Sequence, residues 1–430
     1  MWYALVEQQR QWLRTWRAAA QSALNACDAW PAIGLTRAAS SCAELYEPLF
    51  GLSDSAPSFA IETIALDGHY YAVKEKIVAR TPFCDLRCFS RAATARAVLL
   101  CAPLAGHAAV MMRETVEALL ADGDVYVTDW LNARDVPLVA GRFGLDEYVA
   151  LLDGFIGQLA RDNRPLHIVA VCQSTFPALG ALALRAQRAL APLASITLIG
   201  GPIDALIHPA TLGLAAASHS IDWCERHLID TVPPGFAGHG RRVFPTYLQQ
   251  AEIAILYPQR YVSLIERCAR ARSSDDTVAL AEARRALIEY AALIDMPAEY
   301  FLDTVEIVFQ RSALANGTWR VATSTSDTSG LCHMLVQPAS LRDVALLTVE
   351  GTRDAVTGAG QTHAALDLCS GIAPDAKQRL DIDGCDHYGL FTGERWRTDV
   401  HPALQATFAR AESARSHEHV RSRETRAVRS

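Results

Sequence analysis

Three residues far apart in the chain have the types that acyl-transfer chemistry needs: Cys172, Asp354 and His387. A thiol with an ordinary pKa of about 8.5 is only a few per cent thiolate at neutral pH, so a cysteine nucleophile needs a base, and a histidine base needs a carboxylate to orient it. Each of the three follows a candidate strand, and two of the strands are apolar runs. Cys172 closes LHIVAV at 166–171 and precedes Phe176, Leu179, Leu182, Ala186 and Leu190 at helical spacing, with Pro177 in the first turn of that helix. Asp354 follows VALLTVEG at 344–351, and His387 follows RLDID at 379–383. A sharp strand-to-helix turn at Cys172 would lift the thiol above a sheet beside the next backbone N–H and a helix N-terminus.

Each residue alone has a plainer reading. A cysteine at a strand end is a small hydrophobe, a lone histidine is structural, and a loop aspartate is a solvated carboxylate or helix cap. Asp129, Asp383 and Asp386 compete with Asp354 for the acid, but Asp354 directly follows a strand in the place expected of it. The elbow Ala170-Val171-Cys172-Gln173-Ser174 lacks both glycines of G-x-S-x-G, though small residues stand in their places. A tetrahedral intermediate needs two donors. One would be the N–H of Gln173, and the other would come from the loop Pro103–His107, from Leu104 or Ala105. His107 either lines the site or bonds within its loop, and His167, inside the strand, reads as a satisfied core residue.

The elements that must position these residues begin at 97. AVLLCAP (97–103), DVYVTDW (124–130), LHIVAV, SITLIGG (195–201), VALLTVEG and the weaker RLDID alternate with helical stretches. That pattern specifies an α/β fold with a mostly parallel sheet flanked by helices, whose ligands sit beyond the carboxyl ends of the strands. The order nucleophile, acid, base is that of the α/β-hydrolase fold. Antiparallel strands are expected in 61–66, 71–78 and 84–89. Residues 205–340 are too long for a crossover and read as a large, mainly helical cap inserted before the acid-bearing strand, with helices at 280–294 and 298–309. The expected organisation is therefore an N-terminal helical segment at 1–50, a core formed by 51–204 and 341–410, the cap, and a disordered tail at 411–430. The first segment carries an aromatic stripe of Trp2, Leu5, Trp12, Leu13 and Trp16, which would either pack on the core or meet an apolar surface.

Composition narrows the function. Forty Lys and Arg against 47 Asp and Glu leave a net charge of -7, against a nucleic-acid partner. Eleven cysteines without a regular framework indicate a reducing compartment, and Cys84 and Cys88 lack the second pair that structural zinc requires. Charged residues interrupt the N-terminus, and no run has the length of a membrane span, so the expectation is a cytoplasmic protein, not transmembrane, without metal or other cofactor.

The chain resembles the intracellular poly(3-hydroxybutyrate) depolymerases in MWYALVEQQR, CAPLAGHAAVMMRETVEALL, DVYVTDWLNARDVPL, VAVCQSTFPAL, GGPIDA, GRRVFPTYLQ, DMPAEYFLDTV, NGTW, LLTVEGTRDAVTGAGQT and HYGLFTGERW. The resemblance implies a cysteine nucleophile at Cys172, the acid at Asp354 and the base at His387. It implies hydrolysis of the storage polyester to 3-hydroxybutyrate or short oligomers, with the granule surface and other granule-associated proteins as partners. It also favours the surface-binding reading of the N-terminal stripe. Ser174 departs from the family, which commonly has proline there. Two alternatives remain: a polyhydroxyalkanoate synthase-like acyl transferase using hydroxyacyl-coenzyme A, and a non-catalytic granule-binding protein.

Overall fold

The computed structural model describes residues 2–27, 56–92, 94–162, 164–191, 193–324 and 331–427. An eight-stranded sheet organises it. Its strands are β1 (Lys74–Arg80), β2 (Cys84–Ser90), β3 (Ala97–Cys101), β4 (Asp124–Trp130), β5 (Leu166–Val171), β6 (Ser195–Ile199), β7 (Ala345–Gly351) and β8 (Lys377–Ile382), in the spatial order β8-β7-β6-β5-β3-β4-β2-β1. β2 is antiparallel to both of its neighbours, and the remaining pairings are parallel. Every residue of β3, β5 and β6 is buried, which is why these strands are mostly apolar instead of alternating, with His167, Ser195 and Thr197 the buried polar exceptions. The expected 71–78 strand divides: His69–Ala72 pairs with Thr63–Leu66 as a separate hairpin, and β1 starts at Lys74.

Helices α1 (Trp2–Cys27), α2 (Arg113–Leu119), α3 (Leu145–Leu159) and α4 (Thr175–Gln187) precede the long segment between β6 and β7. α4 follows β5 and packs against α3. The long segment holds α5 (Thr211–Ser218), α6 (Ile221–Leu228), α7 (Thr246–Leu256), α8 (Pro258–Ser273), α9 (Thr277–Ala291) and α10 (Ala298–Asp303), the last continuing as a π-turn over Thr304–Gln310. A three-stranded antiparallel sheet of Asp230–Thr231, Arg242–Phe244 and Met296–Pro297 ties the two ends of this helical region together. α11 (Ala364–Leu368) lies between β7 and β8.

Two expectations change. The final helix α12 (His401–Ala427) runs through most of the stretch expected to be disordered. Its first turns are anchored by fully buried Leu404 and Phe408, and the interleaved Arg and Glu that follow are good helix formers. The aromatic stripe of α1 does not pack on the core: Trp2, Leu5, Trp12 and Trp16 are 50–72% exposed, while Tyr3, Glu7 and Arg10 are buried. Residues 28–50 of the expected helical segment lie outside the described residues. Among the described residues, no helix is long and apolar enough to cross a membrane.

Candidate active site

The turn out of β5 is as tight as the sequence suggests. Cys172 opens a short 3-10 turn, Cys172–Ser174, before α4, and its φ of +55° puts a side-chain-bearing residue in the left-handed region. Such a conformation costs about 1–2 kcal/mol and persists where the surroundings enforce it. Close neighbours enforce it here. A Cβ on Gly201, just beyond β6, would stand 2.5 Å from the Cys172 carbonyl oxygen and nearer still to Thr175. Ser174 is fully buried; its hydroxyl accepts from the Val171 N–H (2.8 Å) and donates to the Cys101 carbonyl at the end of β3 (2.6 Å). The departure from the family's proline is therefore a brace that ties the elbow to the neighbouring strand. Ser174→Ala leaves the Val171 N–H without that partner, and should lower stability by about 1–3 kcal/mol, read from the urea midpoint at unchanged m-value.

The acid and base come from the ends of β7 and β8. Asp354 Oδ2 lies 2.7 Å from His387 Nδ1, and its Oδ1 accepts from the Val356 and Thr357 N–H groups, both at 2.8 Å. Thr357 in turn donates to the Gly200 carbonyl (2.8 Å), so the acid loop is held against the end of β6. His387 lines the same cavity as Cys172. Burial works against its cation, but the charges of Asp354 and Cys172 outweigh burial and hold its pKa well above the ordinary histidine value. The chain thus brings together a thiol, an imidazole and a carboxylate from three strand ends. The competing acids are engaged elsewhere: Asp129 with Arg87 (2.6 Å), Asp383 with Thr352 (3.1 Å) and Asp386 with the Gly389 N–H (2.7 Å).

Gln173 follows Cys172 on the wall of the cavity above it, and its side chain accepts from the Tyr300 hydroxyl (3.2 Å). Across the cavity lies the loop after β3, where Ala105 faces the space and Leu104 is buried. That loop is stitched to the segment after α9: Ile294 N–H donates to Gly106 O (2.7 Å), Ala108 N–H to Ala292 O (2.8 Å), and His107 bridges Leu293. His107 lines the cavity, its ring centroid 5.0 Å from that of Tyr290, and burial pushes its pKa down to about 4, so it is neutral at physiological pH. His167 is a buried strand residue bonded to Ser195 (2.7 Å) and Glu412 (3.1 Å).

The cavity is about 470 Å³ and mainly apolar, walled by Leu212, Phe244, Leu248, Phe301 and Phe309 from the long segment. Half-buried Glu252 and the Tyr257 phenol also line it, and burial pushes the Glu252 carboxyl up to about 6. Sequence reasoning missed these and Tyr300, because nothing in their spacing marks them.

Glu350, also missed, braces the acid loop from below. Its carboxylate accepts from the N–H groups of Gly360 (2.6 Å), Thr362 (2.7 Å) and His363 (2.9 Å). With His363 and Asp381 it forms the one group at metal-ligating distances among the described residues. His363 Nδ1 is engaged by Thr348 (2.8 Å) and its Nε2 by Asp381 (3.2 Å). Cys84 and Cys88 are buried free thiols on β2.

The strand order, the elbow after β5 and the acid and histidine after β7 and β8 define an α/β-hydrolase. Residues 200–412 match the family described as PHB de-polymerase C-terminus, and over this stretch the chain is similar to the PHB depolymerases. Fold and match together describe an ester hydrolase. Solved structures similar to this chain include a monoacylglycerol lipase from Paleococcus ferrophilus (14% identity, 76% of this chain and 98% of that one, TM-score 0.45). An esterase from Thermogutta terrifontis is 12% identical over 79% of this chain and 98% of its own (TM-score 0.41). The thioesterase domain from the curacin biosynthetic pathway is 13% identical over 79% and 99% (TM-score 0.40). No curated protein matches the chain.

Proposed function

We propose that the protein hydrolyses the ester bonds of amorphous poly(3-hydroxybutyrate) in cytoplasmic storage granules, through an acyl-cysteine intermediate. The observation that carries this reading is Cys172 at a strained elbow, opening into an apolar cavity that the His387–Asp354 pair also lines through His387. The Cys172 thiolate attacks the ester carbonyl carbon, and the N–H groups of Gln173 and of Leu104 or Ala105 stabilise the oxyanion. Collapse breaks the ester C–O bond, and His387 delivers its proton to the departing alkoxide, which leaves as the hydroxyl end of the remaining polymer. Water then gives a proton to His387 and attacks the thioester, releasing the carboxylic acid and the thiolate. Asp354 holds the imidazole through its Nδ1–H. In this reading residues 205–340 form the cap that supplies the apolar wall, suited to a substrate whose backbone carries only ester oxygens and methyl groups. No metal or other cofactor takes part in these steps.

The test offers the protein amorphous polymer in one reaction and 3-hydroxybutyryl-coenzyme A in another, following free acid and free thiol. Acid from the polymer is expected. Release of coenzyme A coupled to polymer growth would make it a synthase-like transferase, and an absence of both products would leave a granule-binding protein.

A further inference from the structure

The first helix is inverted. In α1 the outward residues Trp2, Leu5, Gln9, Trp12 and Trp16 recur at spacings of three and four, so they share one face. Trp2 is 72%, Trp12 63% and Trp16 64% exposed, and no described residue covers them. The opposite face, turned into the protein, carries Glu7 and Arg10 beside Tyr3, whose ring packs on Phe236 and Tyr247. Tyr3 donates its hydroxyl to Asp295 and its N–H to Asp230 (2.9 Å), and Arg10 reaches Thr246 (3.4 Å). A water-soluble surface helix has the reverse arrangement, so the outward face is built to meet something apolar.

Its shape and charge say what kind of surface. From Trp2 to Trp16 the row runs about 21 Å along a convex helix, which a flat, extended partner covers at once. The charged residues between these positions are Glu7, Arg10 and Arg14, and Glu7 takes both arginines on the inward side, at 3.8 and 3.6 Å. Helices that bind anionic bilayers carry cations around the apolar face, and here the exposed positions from 2 to 16 are uncharged. An uncharged, apolar surface is the complement. The helix is also joined to the cavity: Asp295, which holds Tyr3, accepts from the Thr246 N–H (2.6 Å) at the start of α7. Ile255, about 14 Å further along α7, lines the cavity and is 75% exposed.

We infer that the Trp2–Leu5–Trp12–Trp16 face of α1 is a docking surface for the uncharged polyester itself, seating the cavity beside the polymer through the Tyr3–Asp295–Thr246 contact. The inference rests on the substrate proposed above. Two variants test it: Trp12→Gln with Trp16→Gln, and Gln9→Glu, which puts one charge at the centre of the face. Partition onto amorphous poly(3-hydroxybutyrate) particles, measured by sedimentation in a Cys172→Ala background, should fall about tenfold or more in the tryptophan variant. With Cys172 intact, turnover of a soluble short-chain ester and the unfolding midpoint should be unchanged.

Unchanged partition would overturn the inference, as would equal loss of soluble-ester turnover. A fall in the unfolding midpoint would overturn it too, because another part of this chain would then cover the face. Binding of wild type to phosphatidylcholine vesicles as tight as to polymer would assign the face to lipid, and a wild-type dimer that the variants dissociate would assign it to a second copy. Tryptophan-dependent partition without acid release from polymer would keep the docking surface and remove the proposed reaction.

Discussion

Cys172→Ala should lower ester turnover by about 10⁵-fold or more while leaving the fold intact, because it removes the atom proposed to form the acyl-enzyme and keeps the Cβ around which the elbow is packed. Stopped-flow acylation and thermal unfolding check the two halves of this expectation; substantial retained turnover would remove the triad from the account. Cys172→Gly sharpens it. At φ +55° an alanine retains the strain that the cysteine bears and a glycine does not, so the glycine variant should be more stable than the alanine variant by about 1 kcal/mol. The expected order, most stable where the nucleophile is absent and the backbone relaxed, would mark the strain as a cost of placing the thiol.

Asp354→Asn should reduce kcat by about 10³–10⁴-fold with a small effect on KM, since the amide can hold the imidazole in the wrong tautomer without altering the cavity. The pH profile carries the more specific prediction. Burial depresses the His387 cation, and Asp354, with Cys172, overcomes that effect. Removing the carboxylate therefore lowers the His387 pKa. Protonated His387 is the form that hands a proton to the leaving alkoxide, so the alkaline limb of the acylation profile should move to lower pH in the variant. An unmoved limb would assign that limb to another group.

The parallel strands were legible because burial on both faces favours apolar runs, as in AVLLC and, apart from His167, LHIVAV, and the three candidate catalytic residues were legible because each follows a strand of the sheet, the one before His387 being the weakest signal. The braces were not. Glu350 reads as one more residue of a strand until its carboxylate is seen collecting three N–H groups of a loop that starts ten residues later. Ser174 read as a deviation from a motif, and its function as a tie to Cys101 depends on a contact between residues 73 positions apart. The α1 stripe was visible, but its direction was not, because Asp295 and Thr246, which hold Tyr3 and Arg10 inward, are 292 and 236 positions away from them.

The backbone bonds joining Gly106 and Ala108 to residues 292–294 make the two sides of the cavity mechanically unequal. On one side the long segment is bonded through its backbone to the loop proposed to carry the second oxyanion donor, and the two cannot part without breaking those bonds. On the other side α5 and the end of α7 meet the space through side chains, Leu212, Ala215, Ala216, Ile253 and Ile255, with Glu252 among them. The cavity is built like a vice with one fixed jaw, and in the proposed reaction that jaw would keep the carbonyl under attack aligned with Cys172.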